Sequence, residues 1–155
     1  MSKLFVDEIQ PKTTGGAVTL PNKPAFRVRK TAIQTASGNN ELVTWDSVEL
    51  NIGSHFAGNL FTAPVAGVYA FDLIALTTND NATHVYVFRH IPNGGSAANV
   101  IHYHSPVLSG HETVSGSFIH QMGAGDIMGL YLESTNDAIY GDTASWTNWS
   151  GHLIG

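Results

Sequence analysis

The sequence predicts an all-β protein, a jelly-roll β-sandwich that assembles with copies of itself. Three observations carry this reading. No stretch keeps a helical period of apolar residues, and 16 glycines, with many Asn, Ser and Thr, cut the chain into short pieces. Eight runs of strand length recur at short intervals, the spacing of a sandwich. The run GVYAFDLIAL (67–76) is apolar on both faces, with Tyr69, Phe71, Leu73 and Ala75 on one and Val68, Ala70, Asp72, Ile74 and Leu76 on the other. A half-buried strand alternates apolar and polar positions. The second face of this one therefore needs a cover, either a partner chain or the protein's own loops. Charged residues make up only 12% of the chain, against about 25% in a typical domain, which favours a partner.

Taken in order, residues 1–24 read as a non-globular lead. MSKLFVDEIQPKTTGGAVTLPNKP holds three prolines, a glycine pair and two short apolar pieces, Leu4–Val6 and Ala17–Leu20, too little apolar surface to fold alone. The globular body spans 25–155. Strands are expected at 25–31 (AFRVRKT), 42–50, 67–77, 84–91 (HVYVFRHI), 98–105, 112–122, 126–133 and 146–154. The breaks between them carry turn chemistry: SGNN (37–40), TTNDNAT (77–83), PNGGSAA (92–98), SPVLSGH (105–111), GAGD (123–126) and STNDAIYGDTAS (134–145).

Charge divides the chain. Residues 1–30 carry six basic and two acidic side chains, net +4, whereas residues 31–155 carry one basic residue, Arg89, and ten acids, net −9. The body thus repels nucleic acid and anionic membranes. The six bases of residues 1–30 are spread among Pro and Gly, a pattern that suits docking on an acidic protein surface better than binding nucleic acid. There is no cysteine, which removes disulfides and thiolate chemistry. No signal peptide is visible, and no apolar run approaches the roughly 18 residues of a membrane span. Neither a G-x-S-x-G nor a phosphate loop is present. HETVS (111–115) lacks the second His of a zinc-protease motif and falls in an expected strand. The chain is read as a non-enzyme with no required cofactor. NAT (81–83) and NWS (148–150) fit the glycosylation pattern but carry little weight without a secretion signal.

The body resembles the globular head of complement component one, subcomponent q. Trp45, Asn51, Phe56, Phe61, Gly67, Tyr69, Phe71 and Leu73 follow that family's signature, and FTAPVAGVYAF (61–71) is close to its central phrase. GAGDIMGLYL (123–132) is similar to its Gly-Asp strand start, and WSGHLI (149–154) to its closing strand, with His152 in an aromatic place. Two departures stand out: four residues rather than six separate Phe56 from Phe61, and Leu73 replaces an aromatic. The resemblance implies a homotrimeric jelly roll of the tumour-necrosis-factor type. The lead resembles the opening of tail-fibre and appendage proteins of tailed bacteriophages, in the phrase KLFVDEIQPKTTGGAVTLP. That implies attachment to other virion proteins through Leu4, Phe5, Val6, Ile9, Val18 and Leu20, and residence in the phage particle after synthesis in the host cytoplasm. Together the halves suggest a trimeric fibre head that binds the host surface, through a glycan. The alternatives are a capsid or neck decoration protein and, more distantly, a soluble lectin-like binder.

Strand parity taken from the resemblance points Ala70, Asp72 and Ile74 toward a threefold axis, with Trp149, Gly151, Leu153 and Ile119, and sends Tyr69, Phe71 and Leu73 into the core. Three Asp72 carboxylates near one axis repel unless paired or hydrated. With the lead at the base, the far end holds Asn79, Asp80, Asn81, His111, Asn136, Asp137, Tyr140, Asp142 and Trp146. These types suit sugar hydroxyls and apolar sugar faces. The same carboxylates suit Ca²⁺, and Asn and Asp are also ordinary turn residues. His102 and His104 share one strand face and are candidate metal ligands, but the jelly-roll order puts their strand in the outer sheet, where ordinary surface histidines are expected. His120 shares parity with Phe118 and Met122 and is read as a half-buried, hydrogen-bonded histidine.

Overall fold

The computed structural model of the chain describes residues 23–78, 82–106 and 110–155. Among these there are thirteen strands and no helix. In chain order they are β1 (Ala25–Arg29), β2 (Gln34–Thr35), β3 (Glu41–Leu42), β4 (Ser47–Ile52), β5 (Phe56–Ala57), β6 (Leu60–Thr62), β7 (Gly67–Leu76), β8 (Val85–Ile91), β9 (Ala98–His104), β10 (Thr113–Met122), β11 (Ile127–Leu132), β12 (Ala138–Ile139) and β13 (Asn148–Leu153). One sheet runs β10-β7-β13-β1-β4 and the other β5-β6-β11-β8-β9, with β3 beside β11 and a small β12-β2 pair apart. All pairings are antiparallel. The virion-attachment residues Leu4, Phe5, Val6, Ile9, Val18 and Leu20 lie outside the described residues.

The inner faces of the two sheets meet in an aromatic core. Phe26 stacks on Phe56 and Phe61, each at 4.9 Å between ring centres, and meets Trp149 edge-on at 4.7 Å. Phe118 bridges Phe71 at 5.2 Å and Phe88 at 4.9 Å. Tyr69, Phe71 and Leu73 are all buried, as their parity requires. The residues between them turn outward: Asp72 and Ile74 are exposed, and Val68, Ala70 and Leu76 are half-buried.

The structure corrects the reading in three places. The expected strand 42–50 is broken at Val43–Asp46, where the chain bends to bury Trp45. The Trp45 N–H donates to Asn59 Oδ1 at 2.8 Å, and Asp46 Oδ2 turns back to accept the N–H groups of Thr31 and Ala32 at 2.7 and 3.1 Å. Second, β5 and β6 form a hairpin that the sequence reading left as loop. Its two turn residues, Gly58 and Asn59, both have positive φ, 57° and 68°, the geometry of a type I′ turn. Third, Trp149 does not face outward. It is fully buried, and Gly151 and Leu153 share its inward side. The outward set of β13 is Asn148, Ser150 and His152. An indole this large closes the core, and only the polar set of the strand is left for the other face.

Gly151 is where that core is tightest. A Cβ there would lie 2.6 Å from Phe71 and 2.7 Å from Phe26, atoms of rigid buried rings. Gly151→Ala is therefore expected to destabilise the domain by about 1–3 kcal/mol, the usual cost of overpacking. Thermal melting should fall by about 2–4 °C for each kcal/mol lost. An unchanged melting temperature would show that the rings give way freely.

Candidate functional site

The antiparallel order separates two ends. The near end carries the start of β1, where the Leu153 N–H donates to the Pro24 carbonyl at 3.1 Å. The far end carries the close of β7, the start of β10 and the approach to β13, since Leu76 pairs with Thr113 and Ile74 with Asn148. There Leu76, His111, Thr113, Tyr140 and Trp146 line a cleft of about 470 Å³. Trp146 is 54% exposed, while Trp45 and Trp149 are buried. The rings of His111 and Tyr140 stand 4.5 Å apart, tilted by 59°.

The walls of this cleft are pinned from beneath. Two buried threonines do most of it. Thr147 Oγ1 accepts the Leu76 N–H at 3.0 Å, and Thr77 Oγ1 accepts the Glu112 N–H at 2.8 Å. The Leu76 carbonyl accepts the Tyr140 N–H at 2.8 Å. The Thr77 carbonyl lies 2.6 Å from His111 Nδ1. A carbonyl only accepts, so Nδ1 carries the proton and Nε2 is left as the acceptor of the neutral ring. Below the 140–142 segment, Gly141 is pressed against the chain: a Cβ would stand 2.5 Å from the Ala32 carbonyl and from Cγ of Lys30. Lys30 itself is buried. Its ammonium donates to the Thr44 carbonyl at 2.8 Å and reaches Asp46 at 3.4 Å; burial lowers its pKa, with Asp46 opposing.

Of the far-end residues named from the sequence, His111, Tyr140 and Trp146 come together. Asp142 stands beside them, with one oxygen 3.5 Å from the Tyr140 hydroxyl and the other accepting the Ala144 N–H at 2.7 Å. Asp137 is corrected: it is buried, and its carboxylate accepts the N–H groups of Ser134 at 2.7 Å and Val85 at 3.2 Å. It holds a turn and offers no oxygen to a ligand. Asn136 occupies that turn with φ 73° and does not line the cleft. Asn79, Asp80 and Asn81 lie outside the described residues. Leu76 and Thr113 were missed; both continue the outward face of their strands to the far end, a signal present in the alternation itself.

Asp137 and Asp142 already spend oxygens on backbone N–H groups, and among the described residues no group of three His, Asp or Glu converges. His102 and His104 sit exposed on the outer sheet with parallel rings 6.3 Å apart, and His102 Nδ1 is 3.6 Å from Glu133.

On the outward face of the first sheet, Asp72 stands opposite Ser117 on one side and Ser150 on the other. Ala70 stands between Ile119 and His152. Ile119, 68% exposed, and Ile74 leave an apolar patch around this row.

At the near end a second cluster joins the sheets. His90 Nε2 lies 2.8 Å from Asp126 Oδ2, and Asp126 also accepts the N–H groups of Asn93 at 2.8 Å and Gly123 at 2.7 Å. The Asn93 N–H, first, and then Gly123 and His90 hold the Asp126 carboxyl below its usual range against the effect of burial. His120 faces His90 at 4.8 Å, edge to face. It is half-buried as expected, and its Nε2 has no partner. Burial, then the neighbouring His90, lowers its pKa, with Asp126 opposing.

A two-sheet sandwich with the order β10-β7-β13-β1-β4 over β5-β6-β11-β8-β9 defines a jelly roll. The chain belongs to the C1q domain family, whose model matches residues 25–154. Domains of the C1q and TNF-like type are typically non-enzymatic binding modules and are often trimeric. The fold is similar to the globular domain of zebrafish complement 1qA protein, at 19% identity and a TM-score of 0.66, covering 86% of this chain and 98% of that one. It is also similar to murine APRIL (16%, TM-score 0.67, 84% and 98%) and to Eiger TNF from S. frugiperda (8%, TM-score 0.70, 84% and 92%). At these identities the likeness is one of fold. No curated protein sequence matches the chain.

The near-end cluster carries a pH dependence. His120 is held below 6.5 in the folded protein, so the unfolded chain takes up its proton first as pH falls. Stability from this site is complete above about 6.5 and is lost as the pH drops through the interval down to the folded value. His120→Leu should flatten the melting curve against pH across that window while leaving the acid loss due to Asp126, which begins below about 4. Parallel curves for both proteins would contradict the assignment.

Proposed function

We propose that the protein is the homotrimeric head of a bacteriophage tail fibre or appendage, attached to the virion through residues 1–24, whose far end binds a glycan of the host cell surface. The observation that carries this reading is the cleft itself. Three aromatic rings, His111, Tyr140 and Trp146, gather in one pinned recess at the end opposite the point where the lead joins the body. A fibre head needs this polarity: attachment at one end, recognition at the other.

Trimerisation is supported by the outward face of the first sheet. Ile74 and Ile119 with Val68 and Ala70 form an apolar surface that water meets in the isolated chain, and covering such a surface is what drives subunits together. The virion role is supported by the resemblance of the lead. The non-enzymatic reading is supported by the family.

Sedimentation velocity on the full chain should give a trimer. Ile119→Asp, which sets three carboxylates into the apolar contact, should give a folded monomer. A stable wild-type monomer would refute the assembly. Deleting residues 1–24 should leave the trimer folded and its host-cell binding intact, yet absent from phage particles assembled in its presence. Incorporation of the truncated form would sink the attachment claim, and regular spacing of the intact protein over the capsid would replace the fibre role with decoration.

A further inference from the structure

The far-end cleft has a composition that narrows its ligand. We propose that it seats one uncharged pyranose ring, stacked by its apolar face on the indole of Trp146, and that it rejects acidic sugars. This rests on the receptor-binding reading above and adds the residue, the ligand class and the selectivity.

Size is the first argument. At about 470 Å³ the recess lies within the roughly 300–1,000 Å³ of small-molecule sites, and its open side admits the end of a longer chain. The second argument is the lining. A pyranose presents a face of C–H groups and a rim of hydroxyls. The lining supplies the complement of both: an exposed indole and the Leu76 side chain for the face, and the Thr113 hydroxyl, the Tyr140 hydroxyl and His111 Nε2 for the rim. His111 Nε2 is an acceptor because Nδ1 is committed to the Thr77 carbonyl, so it calls for a hydroxyl donor. Third, the site is preorganised. The bonds from Thr77 and Thr147 hold both walls before any ligand arrives, which spares the ordering cost that weakens loop-built sites.

Charge sets the selectivity. Among the described residues the lining contains no Lys or Arg, the side chains that pair with carboxylates. One carboxylate stands at its edge instead, Asp142 beside the Tyr140 hydroxyl. The cations that reach this end are engaged elsewhere: Arg29 on the turn before Trp146, with Ser145 Oγ at 2.9 Å and the Thr143 carbonyl at 3.2 Å, and paired with Glu49 at 3.2 Å, and Lys30 buried on the Thr44 carbonyl and Asp46. A sialic or uronic acid entering the cleft would meet like charge without compensation.

Trp146 is also the reporter, because the other two tryptophans are buried. Acrylamide quenching of the full chain should report Trp146, and the quenching should fall saturably on titration with at least one of glucose, galactose, N-acetylglucosamine, mannose or rhamnose. N-acetylneuraminic acid and glucuronic acid at equal concentration should leave it unchanged. Thr113→Val should weaken the protecting sugar by about five- to tenfold, the worth of one hydrogen bond. Trp146→Phe should remove most of the quenchable signal, while isothermal calorimetry on that variant still reports weakened binding. Protection by the acidic sugars, or by none of the neutral ones, overturns the proposal. So does a wild-type trimer in which Trp146 is already shielded from acrylamide, since a neighbouring subunit would then fill the cleft. Host-cell binding measured on the same proteins separates the two readings. Cell binding that survives Trp146→Ala and Thr113→Val refutes this pocket and leaves the receptor role standing, whereas no cell binding by the wild type refutes the role.

Discussion

The buried indole of Trp149 decides which way the first sheet faces. It packs edge-on to Phe26 and lies within 5.4–6.2 Å of Phe88, Phe56 and Phe71. Side chains alternate along a strand, so an inward Trp149 makes Thr147 inward and Trp146 outward. Directly paired residues share a side of the sheet. Leu73, opposite Trp149, is therefore inward, and Leu76 is outward; Gly116, opposite Leu73, is inward, and Thr113 is outward. One side chain in the core thus propagates through three strands to choose three of the five residues that line the far cleft.

Much of this was legible in the sequence. The double apolar face of 67–76 gave both the buried row at Tyr69, Phe71 and Leu73 and the outward row around Asp72. The closing strand misled for a physical reason. In NWSGHL the apolar residues Trp149 and Leu153 share one parity, and assigning that set to an outward apolar face ignored the volume of an indole, which only the core accommodates. The short hairpin at 56–62 escaped because two- and three-residue strands have no period to read. Its signal was the Gly58-Asn59 pair alone.

At the far end, residue type was a fair guide and position was not. Asp137 and Asp142 look alike in a loop rich in turn formers, yet one is buried under a turn it caps and the other stands beside the cleft. Nothing local separates them, because the difference comes from Val85 and Ser134 reaching Asp137 across the fold. The cleft emerged from residues far apart in the chain, Leu76, His111, Tyr140 and Trp146, and only strand pairing could bring them together.

The pins beneath the cleft have a further consequence. Thr77 and Thr147 grip main-chain N–H groups, and Leu76 and Tyr140 are tied through their own main chains. Among the described lining residues, Leu76, Thr113 and Trp146 hold nothing up with their side chains. The floor and the furnishings are separate. Such a site is able to drift from one ligand to another through exchanges at Thr113 or Trp146 while the sandwich beneath stays the same, so that recognition changes faster than the fold that carries it.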